Sequence, residues 1–319
     1  MVARIHADAL QGIKEARLCG VADARSESAA AFAQAYGIKA YPSFEEMLAD
    51  KEIDAVCICT PSYLHSGNAI TALSAGKHVA LEKPMALSVA EADRVIDACE
   101  RTGKKLTVIS QLRFSEDIAR VRQLIKDGAF GTLTLCELSM KQYRSEAYFT
   151  SSNWKGKRAF EGGGALMNQG IHGVDLLLYL CGGATVAKGE IRTLSHRIEV
   201  EDTAAALLTF ENGALGVVTA STCAYPGFER SLRIHGDKGY VFLNENRIEK
   251  MLTKDGETVD RKPRPLGSAA DAAALTSDLH RKQLKNFAGA IRGEEELLVG
   301  YRDGRAAIKL IGDIYGAKR

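Results

Sequence analysis

Apolar residues in the first third of the chain form short continuous runs that alternate with longer runs of helical spacing. The continuous apolar run over 54–59 predicts a strand buried on both faces, and 78–81 predicts a further strand, whereas 26–36 and 64–75 have the spacing of helices. This alternation is typical of parallel strands joined by crossover helices. We therefore predict an α/β fold with a doubly wound, Rossmann-type parallel sheet in a first domain over residues 1–113.

From residue 114 onward, apolar and polar positions alternate over longer stretches. These stretches predict the strands of an open, mainly antiparallel sheet, at 132–141, 203–210, 214–221 and 229–235. Helical spacing predicts a main helix over 165–180 and closing helices over 278–292 and 301–317. The charged stretch 255–274, which contains glycine and proline, predicts a surface loop. We predict a second domain, of the α+β class, over 114–319.

Composition narrows the class of protein. The chain of 319 residues is 46% hydrophobic and 26% charged, as expected of a globular enzyme. Its formal net charge is only +2, and no basic block carries interleaved aromatics, so we expect no nucleic-acid partner. No apolar run reaches the roughly 18 residues of a membrane span. The 7 cysteines include no C-x-x-C pair, which favours buried thiols in a reducing cytoplasm.

Two motifs carry candidate chemistry. The E-K-P motif at 82–84 ends a predicted strand, and ligands bind at the carboxyl ends of strands in open α/β sheets. The glycine triplet at 162–164 precedes a predicted helix that carries Asn168 and His172, four residues apart and hence on one face. We expect Lys83, Asn168 and His172 to be offered to one pocket.

The phosphate-binding motif of dinucleotide domains is not found in this sequence. G-x-G-x-x-G normally joins the first strand to the first crossover helix. Here residues 4–10 predict that helix and 1–3 leave no room for strand or loop. Because loss of a central strand would leave its neighbours without ladder partners, we expect about a dozen further residues, a strand and its turn, to precede Met1 naturally. The alternative is that evolution discarded the loop.

The order and spacing of three motifs identify a family. T-P-S-Y-L-H at 60–65, E-K-P at 82–84 and the glycine-triplet helix with His172 together resemble the glucose-fructose oxidoreductase/inositol dehydrogenase (Gfo/Idh/MocA) family of NAD(P)-dependent oxidoreductases. The likeness runs from Arg4 to the last helix. It implies a nucleotide-binding domain followed by an α+β domain that binds substrate and forms a homo-oligomer, a dimer or a tetramer.

The resemblance implies catalytic roles for Lys83, His172 and Asn168. Oxidising a secondary alcohol requires a group that takes the hydroxyl proton and a positive charge that favours the alkoxide. Lys83 and His172 fit these needs, with His172 as general base or acid. Asn168 stands where the family often has aspartate, and an amide can bind a substrate hydroxyl without charge, so we expect a weaker or water-mediated relay. Asp175 either orients His172 or is structural.

Cofactor choice depends on Asp23, which follows a predicted strand. A carboxylate there accepts from the ribose 2′-hydroxyl and repels a 2′-phosphate, which favours NAD. Arg25 could pair with that phosphate, so NADP stays the alternative. The family resemblance implies further cofactor contacts from Thr60, Pro61, His65, Glu82, Lys83 and Pro84. Glu82 either fixes the lysine or caps the turn.

Side chains beside these motifs are candidate substrate contacts. They are Arg113, which follows the last strand of the first domain, and Trp154 and Arg158 with their neighbours Tyr148 and Lys155, all of which could equally be solvated-loop residues. The glycine triplet lacks a following G-K-[ST], so we expect it to allow backbone to approach substrate or cofactor. No His/Cys/Asp cluster has metal-ligand spacing, so we predict no metal.

We predict an NAD-dependent oxidoreductase that transfers a hydride from a secondary hydroxyl of a sugar, sugar derivative or cyclitol. An NAD-dependent glycoside hydrolase of the same family is the enzymatic alternative. A cofactor-free pseudoenzyme or interaction protein is the other, because the glycine loop is missing. Which sugar is used, and whether it is nucleotide-linked, stays open.

Overall fold

The computed structural model describes residues 2–262 and 277–316, which form two compact units. Unit 1 takes its described residues from Met1–Met85, Ala90–Gln111 and Thr276–Arg302. Unit 2 takes its described residues from Ala86–Val89, Leu112–Leu275 and Asp303–Arg319. The division into domains over 1–113 and 114–319 remains a prediction.

The helices and strands are numbered in chain order. The helices are α1 Val2–Gln11, α2 Ser26–Tyr36, α3 Phe44–Ala49, α4 His65–Ser74, α5 Val89–Thr102, α6 Glu116–Lys126, α7 Glu146–Thr150, α8 Arg158–Glu161, α9 Ile171–Cys181, α10 Asp278–Arg292 and α11 Tyr301–Gly316. The strands are β1 Gly20–Val21, β2 Lys39–Ala40, β3 Ala55–Ile58, β4 His78–Leu81, β5 Leu106–Val108, β6 Leu133–Lys141, β7 Ala184–Arg192, β8 Thr203–Phe210, β9 Leu215–Ser221, β10 Ser231–Gly236, β11 Gly239–Asn244, β12 Arg247–Leu252 and β13 Thr258–Asp260.

Unit 1 contains two parallel sheets separated by crossover helices. One sheet pairs β1 with β2, and the other has the order β3-β4-β5. A core forms where α1 and α10 meet the second sheet, with Ala9, Ala80, Leu284 and Phe287 all at most 5% exposed. The α/β fold with parallel strands is confirmed.

Local signals position these elements as the sequence predicts. Helix α2 has the predicted bounds, and Ser43 Oγ accepts from Glu46 N at 3.1 Å, as expected of a capping box. Strand β3 differs from its prediction, because Ala55 and Cys57 are only partly buried. The reason is that β3 is an edge strand of its sheet within the described residues.

Unit 2 is built around an eight-stranded sheet of order β13-β12-β11-β10-β6-β9-β8-β7. Neighbouring strands of this sheet pair antiparallel, except that β6 and β9 pair parallel, so the predicted mainly antiparallel sheet is confirmed. Alternate residues of β8 are buried and exposed, which gives the sheet one apolar face toward the core. Helix α9 packs against β6 and β10 on that face.

Two predictions for unit 2 are corrected. The helix predicted over 165–180 opens as a π-helical stretch, Ala165–Gly170, before α9 begins at Ile171. The loop predicted over 255–274 contains strand β13, because Thr258–Asp260 pairs with β12, while 263–276 lie outside the described residues. No helix in the described part of the chain combines the length and the apolar character needed to cross a membrane.

Candidate active site

Lys83 of unit 1 lies two residues beyond the carboxyl end of β4, in a turn fixed by its neighbours. The Lys83–Pro84 peptide bond is cis, and Lys83 is partly exposed. Glu82 is only 7% exposed, and its Oε2 accepts from the backbone N of Lys83 at 3.2 Å. The contacts of Glu82 are therefore those of a residue that caps the turn and fixes the lysine backbone.

A buried imidazole holds Glu82 in place. His6 of α1 is 2% exposed, and its Nε2 lies 2.8 Å from Glu82 Oε1. Burial works against both charges. The neighbouring Cys57 and Cys59 sulfurs and the hydrogen bond to Glu82 nevertheless raise the pKa of His6 well above its usual value. The His6 hydrogen bond and the charges of His6 and Lys83 lower the pKa of Glu82 to about 2 despite its burial. The two side chains form an imidazolium–carboxylate pair, and no sequence motif pointed to His6.

His280 of α10 joins this pair. Its ring packs edge-on against His6 with centroids 5.6 Å apart, and burial lowers the pKa of His280 to about 4, so it is neutral. Ligand atoms of His6, Glu82 and His280 lie within 4.8 Å of one another. Atoms that share a zinc ion stand about 3.3 Å apart, given bond lengths near 2.0 Å. The 2.8 Å contact between His6 and Glu82 is instead a direct hydrogen bond. The expectation of no metal remains a prediction.

His65, expected near the nicotinamide, has other contacts. It is 1% exposed, and its ring nitrogens lie 2.6 Å from the Pro84 carbonyl and 2.8 Å from the Thr60 carbonyl. Both contacts are with the protein's own backbone. His65 therefore joins the Thr60-Pro61 segment to the E-K-P turn, and its contact with the cofactor stays a prediction, while Thr60 itself is exposed and Pro61 partly exposed.

In unit 2, Asn168 lies in the π-helical stretch and His172 in the first turn of α9. Both side chains are partly exposed. Asn168 Nδ2 donates to Glu161 Oε1, and Glu161 is 3% exposed. Glu161 is not among the residues predicted from the sequence, although its position directly before the glycine triplet is a usable signal.

The structure explains the glycine triplet by close contacts within the protein, whereas the prediction was an approach of substrate or cofactor. Gly162 has φ +70°, and a Cβ on Gly163 would lie 2.0 Å from the hydroxyl of Tyr315. A Cβ on Gly164 would lie 2.0 Å from the carbonyl oxygen of Glu201. The chain's own residues of unit 2 approach these glycines, so the expected approach of substrate or cofactor is not needed to explain them.

Glu201 anchors the start of the helical segment. It is 2% exposed and accepts from Gly164 N at 2.8 Å, Leu166 N at 2.9 Å and the Tyr315 hydroxyl at 2.8 Å. Burial raises the pKa of Glu201, while these hydrogen bonds lower it less. The carboxylate satisfies backbone donors that a helix start leaves without partners.

Arg113 is part of a buried ion-pair network of unit 2. It is 4% exposed, donates to both carboxylate oxygens of Asp175 at 2.8 and 2.6 Å, and donates to Asp303 Oδ1 at 2.9 Å. Its guanidinium also stacks on Tyr179, 4.5 Å from the ring centroid. These contacts of Arg113 are structural, so its substrate role stays a prediction without support from them, and Asp175 has the structural contact that the sequence left open.

The remaining candidates surround Tyr148. Lys155 Nζ lies 4.1 Å from the Tyr148 ring centroid and 5.8 Å from that of Trp154, and Gln169 Nε2 donates to the Tyr148 hydroxyl at 3.3 Å. Arg158 is exposed, and its guanidinium donates to the Glu199 carbonyl at 3.2 Å. Trp154 is partly exposed. Tyr148 and Lys155 are thus joined to the helix that carries Asn168.

Two family models match this chain. Residues 1–110 match the oxidoreductase family model with an NAD-binding Rossmann fold, and 118–242 match the GFO/IDH/MocA C-terminal domain. The chain belongs to the GFO/IDH/MocA oxidoreductase family. The family predicted from the motifs is confirmed.

Relatives in this family match along most of the chain. Myo-inositol 2-dehydrogenase of Thermotoga maritima is 27% identical over 100% of this chain and 92% of its own length. D-apiose dehydrogenase of Paraburkholderia graminis is 30% identical over 84% of this chain and 72% of its own length. The crystal structure of the WlbA dehydrogenase from Bordetella pertussis, in complex with NADH and UDP-GlcNAcA, is 31% identical, with a TM-score of 0.87 over 99% of this chain and 93% of that one.

The chain has a carboxylate at a position suited to bind the ribose of NAD, the cofactor of the GFO/IDH/MocA family. Asp23 follows β1 and is exposed, and its Oδ1 accepts from Arg25 N at 2.9 Å. That hydrogen bond orients the carboxylate, which can accept from a ribose hydroxyl. The Arg25 guanidinium, 3.9 Å from Asp23 and largely exposed, keeps NADP as the alternative.

Proposed function

We propose that the protein oxidises a secondary hydroxyl of a sugar, sugar derivative or cyclitol. The observation that best supports this is the E-K-P turn, in which Lys83 is held at the end of β4 by a buried pair, in a chain of an NAD-binding oxidoreductase family. Bound NAD supplies a hydride acceptor. The chain's own residues supply charge, proton transfer and orientation.

Three side chains divide this work in our proposal. The Lys83 ammonium stabilises the charge that develops on the substrate oxygen, and His172 takes the hydroxyl proton as general base. Asn168 orients the reacting sugar by a hydrogen bond. Asp23 binds the ribose of NAD, and Thr60, Pro61 and Pro84 contact the cofactor. Glu82 and His65 act indirectly, through the turn that they hold.

Trp154, Tyr148 and Lys155 are the substrate contacts that we favour. An aromatic face suits the apolar face of a sugar ring, and Lys155 suits a negative group on it. Its ammonium donates to Ser151 Oγ at 2.8 Å and has no carboxylate partner among the described residues. Arg158, tied to Glu199, is a secondary candidate.

Relatives suggest which sugars to test. The set includes myo-inositol and D-apiose, after the names of two relatives, and UDP-linked N-acetylglucosaminuronic acid, after the ligand of the WlbA dehydrogenase structure. We rank the nucleotide-linked acid first because it carries the negative groups that Lys155 can bind.

The test is the formation of NADH, followed by its absorbance, with each sugar and with NAD or NADP. Lys83→Met should lower turnover by more than about a thousandfold while the protein stays folded. Lys51→Met, at an exposed lysine of the same unit, should change neither property. Unchanged activity of Lys83→Met would refute the role of Lys83, and release of free sugar without net NADH would indicate the hydrolase.

We also propose that the protein forms a homo-oligomer through the outer face of its eight-stranded sheet. Leu135 and Leu215 face each other on β6 and β9, and Leu207 lies nearby on β8. They are 36%, 60% and 51% exposed, so the face offers an apolar surface to a second copy. Light scattering should give a mass above one chain for the wild type and a lower one for Leu207→Glu.

We place the protein in the cytoplasm, because all seven cysteines are free thiols. Cell fractionation with an antibody to the protein tests this placement. Recovery from a secreted or periplasmic fraction would contradict it.

A further inference from the structure

Glu161 is a buried carboxylate with contacts toward the catalytic helix. It ends α8, is 3% exposed, and lies within unit 2 together with Asn168. Gly156 N donates to Glu161 Oε2 at 2.5 Å, and Asn168 Nδ2 donates to Glu161 Oε1. One oxygen is thus held by backbone, and the other is directed at the amide.

We infer that Glu161 is a positioning residue that fixes the Asn168 amide so that its oxygen is the group offered to the substrate. This inference rests on the proposed function of Asn168 and deepens it. It assigns the direction of a hydrogen bond, from a substrate hydroxyl to Asn168 Oδ1, and a residue that enforces that direction.

The chemistry of the pair determines the direction. An ionised carboxylate has acceptors only, whereas an amide has an NH₂ donor at one end and an oxygen acceptor at the other. Turning the Asn168 amide over would face its oxygen toward the Glu161 oxygen and remove a charge-assisted hydrogen bond. Burial of Glu161 strengthens this preference, because water cannot replace the lost donor.

The consequence concerns substrate recognition. With Nδ2 committed to Glu161, Asn168 presents an acceptor, which a hydroxyl can satisfy by donating its hydrogen. A substrate that has fluorine in place of this hydroxyl can only accept, so it cannot donate to the Asn168 oxygen. Asn168 therefore selects a hydroxyl-bearing sugar at this position.

Glu161→Gln tests the inference with little change of shape. The introduced glutamine can still accept from Gly156 N, but its NH₂ would then face the Asn168 amide and favour the reversed orientation. We expect kcat/KM to fall at least about tenfold, with thermal stability near that of the wild type. Asn168→Asp should also be impaired, and more so at higher pH, because two carboxylates in contact must share a proton.

The double variant Glu161→Gln/Asn168→Asp provides the decisive comparison. It restores one carboxylate and one amide in the opposite order, and the introduced aspartate again offers an oxygen to the substrate. We expect the double variant to recover to at least about tenfold above the product of the two single effects. A merely structural role of Glu161 instead predicts that kcat/KM and thermal stability fall together in the single variants and recover together in the double variant.

A second carboxylate–amide pair of unit 2 supplies the control. Glu249 is 3% exposed, and its Oε1 accepts from Asn244 Nδ2 at 2.8 Å, between β11 and β12. Glu249→Gln and Glu249→Gln/Asn244→Asp change the same chemistry away from Asn168. We expect kcat/KM within about twofold of the wild type for both.

Nuclear magnetic resonance of the side-chain NH₂ groups gives a readout that needs no turnover. The Asn168 signal is identified by its loss in Asn168→Asp and should shift in Glu161→Gln. An unshifted signal, or an active wild type whose Glu161→Gln variant is equally active, would overturn the inference. A wild type that oxidises no sugar contradicts the proposed function instead, while the resonance shift still reports the amide direction.

Discussion

The imidazole of His6 is hydrogen-bonded to Glu82, with Nε2 and Oε1 2.8 Å apart and both side chains buried. The other oxygen of Glu82 accepts from the Lys83 backbone N at 3.2 Å. Helix α1 is thereby joined to the residue that we assign to catalysis. The conformation of the E-K-P turn therefore depends on a side chain of helix α1 and not only on the backbone preferences of the turn itself.

Replacing His6 by alanine should strongly destabilise the protein. The change leaves the Glu82 carboxylate buried without its imidazolium, and breaking such a pair costs about 3 to 5 kcal/mol of unfolding free energy. Urea unfolding followed by circular dichroism measures it. His235→Ala, at a histidine whose side chain is 40% exposed, should cost less than about 0.5 kcal/mol. Equal effects of the two changes would argue against the buried pair.

Glu82 should make stability depend on acid pH. Its pKa is lowered to about 2 in the folded protein, from a usual value of 4.5, so its stabilising effect is present above pH 4.5 and is lost as the pH falls toward 2. By pH 4 the loss is about 1 kcal/mol. The variant His6→Gln/Glu82→Gln titrates at neither position, and His6 is protonated in both the folded and the unfolded wild type at pH 5 and below, so the gap in unfolding free energy between wild type and this variant should narrow between pH 5 and pH 4. A constant gap would contradict the lowered pKa.

Replacing Asp23 by serine should weaken the preference for NAD. The change removes the acceptor for the ribose hydroxyl and the charge that repels a 2′-phosphate, while Arg25 remains to bind that phosphate. We expect the ratio of kcat/KM for NAD to that for NADP to fall by roughly 10- to 100-fold. Glu27→Gln, at an exposed acid in the first turn of α2, is the control and should leave the ratio unchanged. An unaltered ratio in Asp23→Ser would remove Asp23 from the cofactor site.

Replacing Arg113 by methionine should lower the stability of the protein more than its affinity for substrate. Asp175 is 5% exposed and would lose its bidentate partner, at a cost of about 3 to 5 kcal/mol. Arg192→Met removes an arginine whose side chain is 52% exposed and should cost under about 0.5 kcal/mol. If Arg113→Met instead unfolds like the wild type and only raises KM, then Arg113 has the substrate role that the sequence first suggested.

Much of the fold could be predicted because its signals are local. The helix over 26–36 and the strand over 203–210 have their predicted bounds, since apolar periodicity and terminal glycines act within a few residues. The π-helical start of the segment at 165–170 could not be predicted, because its sequence reads as an amphipathic α-helix. Its N-terminal anchor, Glu201, lies 37 residues away from Gly164.

The amino-acid sequence by itself determined the family and the class of reaction, and it predicts the residues that carry that reaction, because motif order and spacing are properties of the chain. Only the tertiary structure decided the partners of the buried charged groups. His6 and Glu82 are 76 residues apart, and Arg113 is 62 residues from Asp175 and 190 from Asp303. A buried charge needs a partner of opposite charge, but the sequence contains many oppositely charged residues and does not show which of them is the partner. Folding selects one partner, and that choice placed Glu82 against the backbone of Lys83 and Arg113 in a buried ion-pair network.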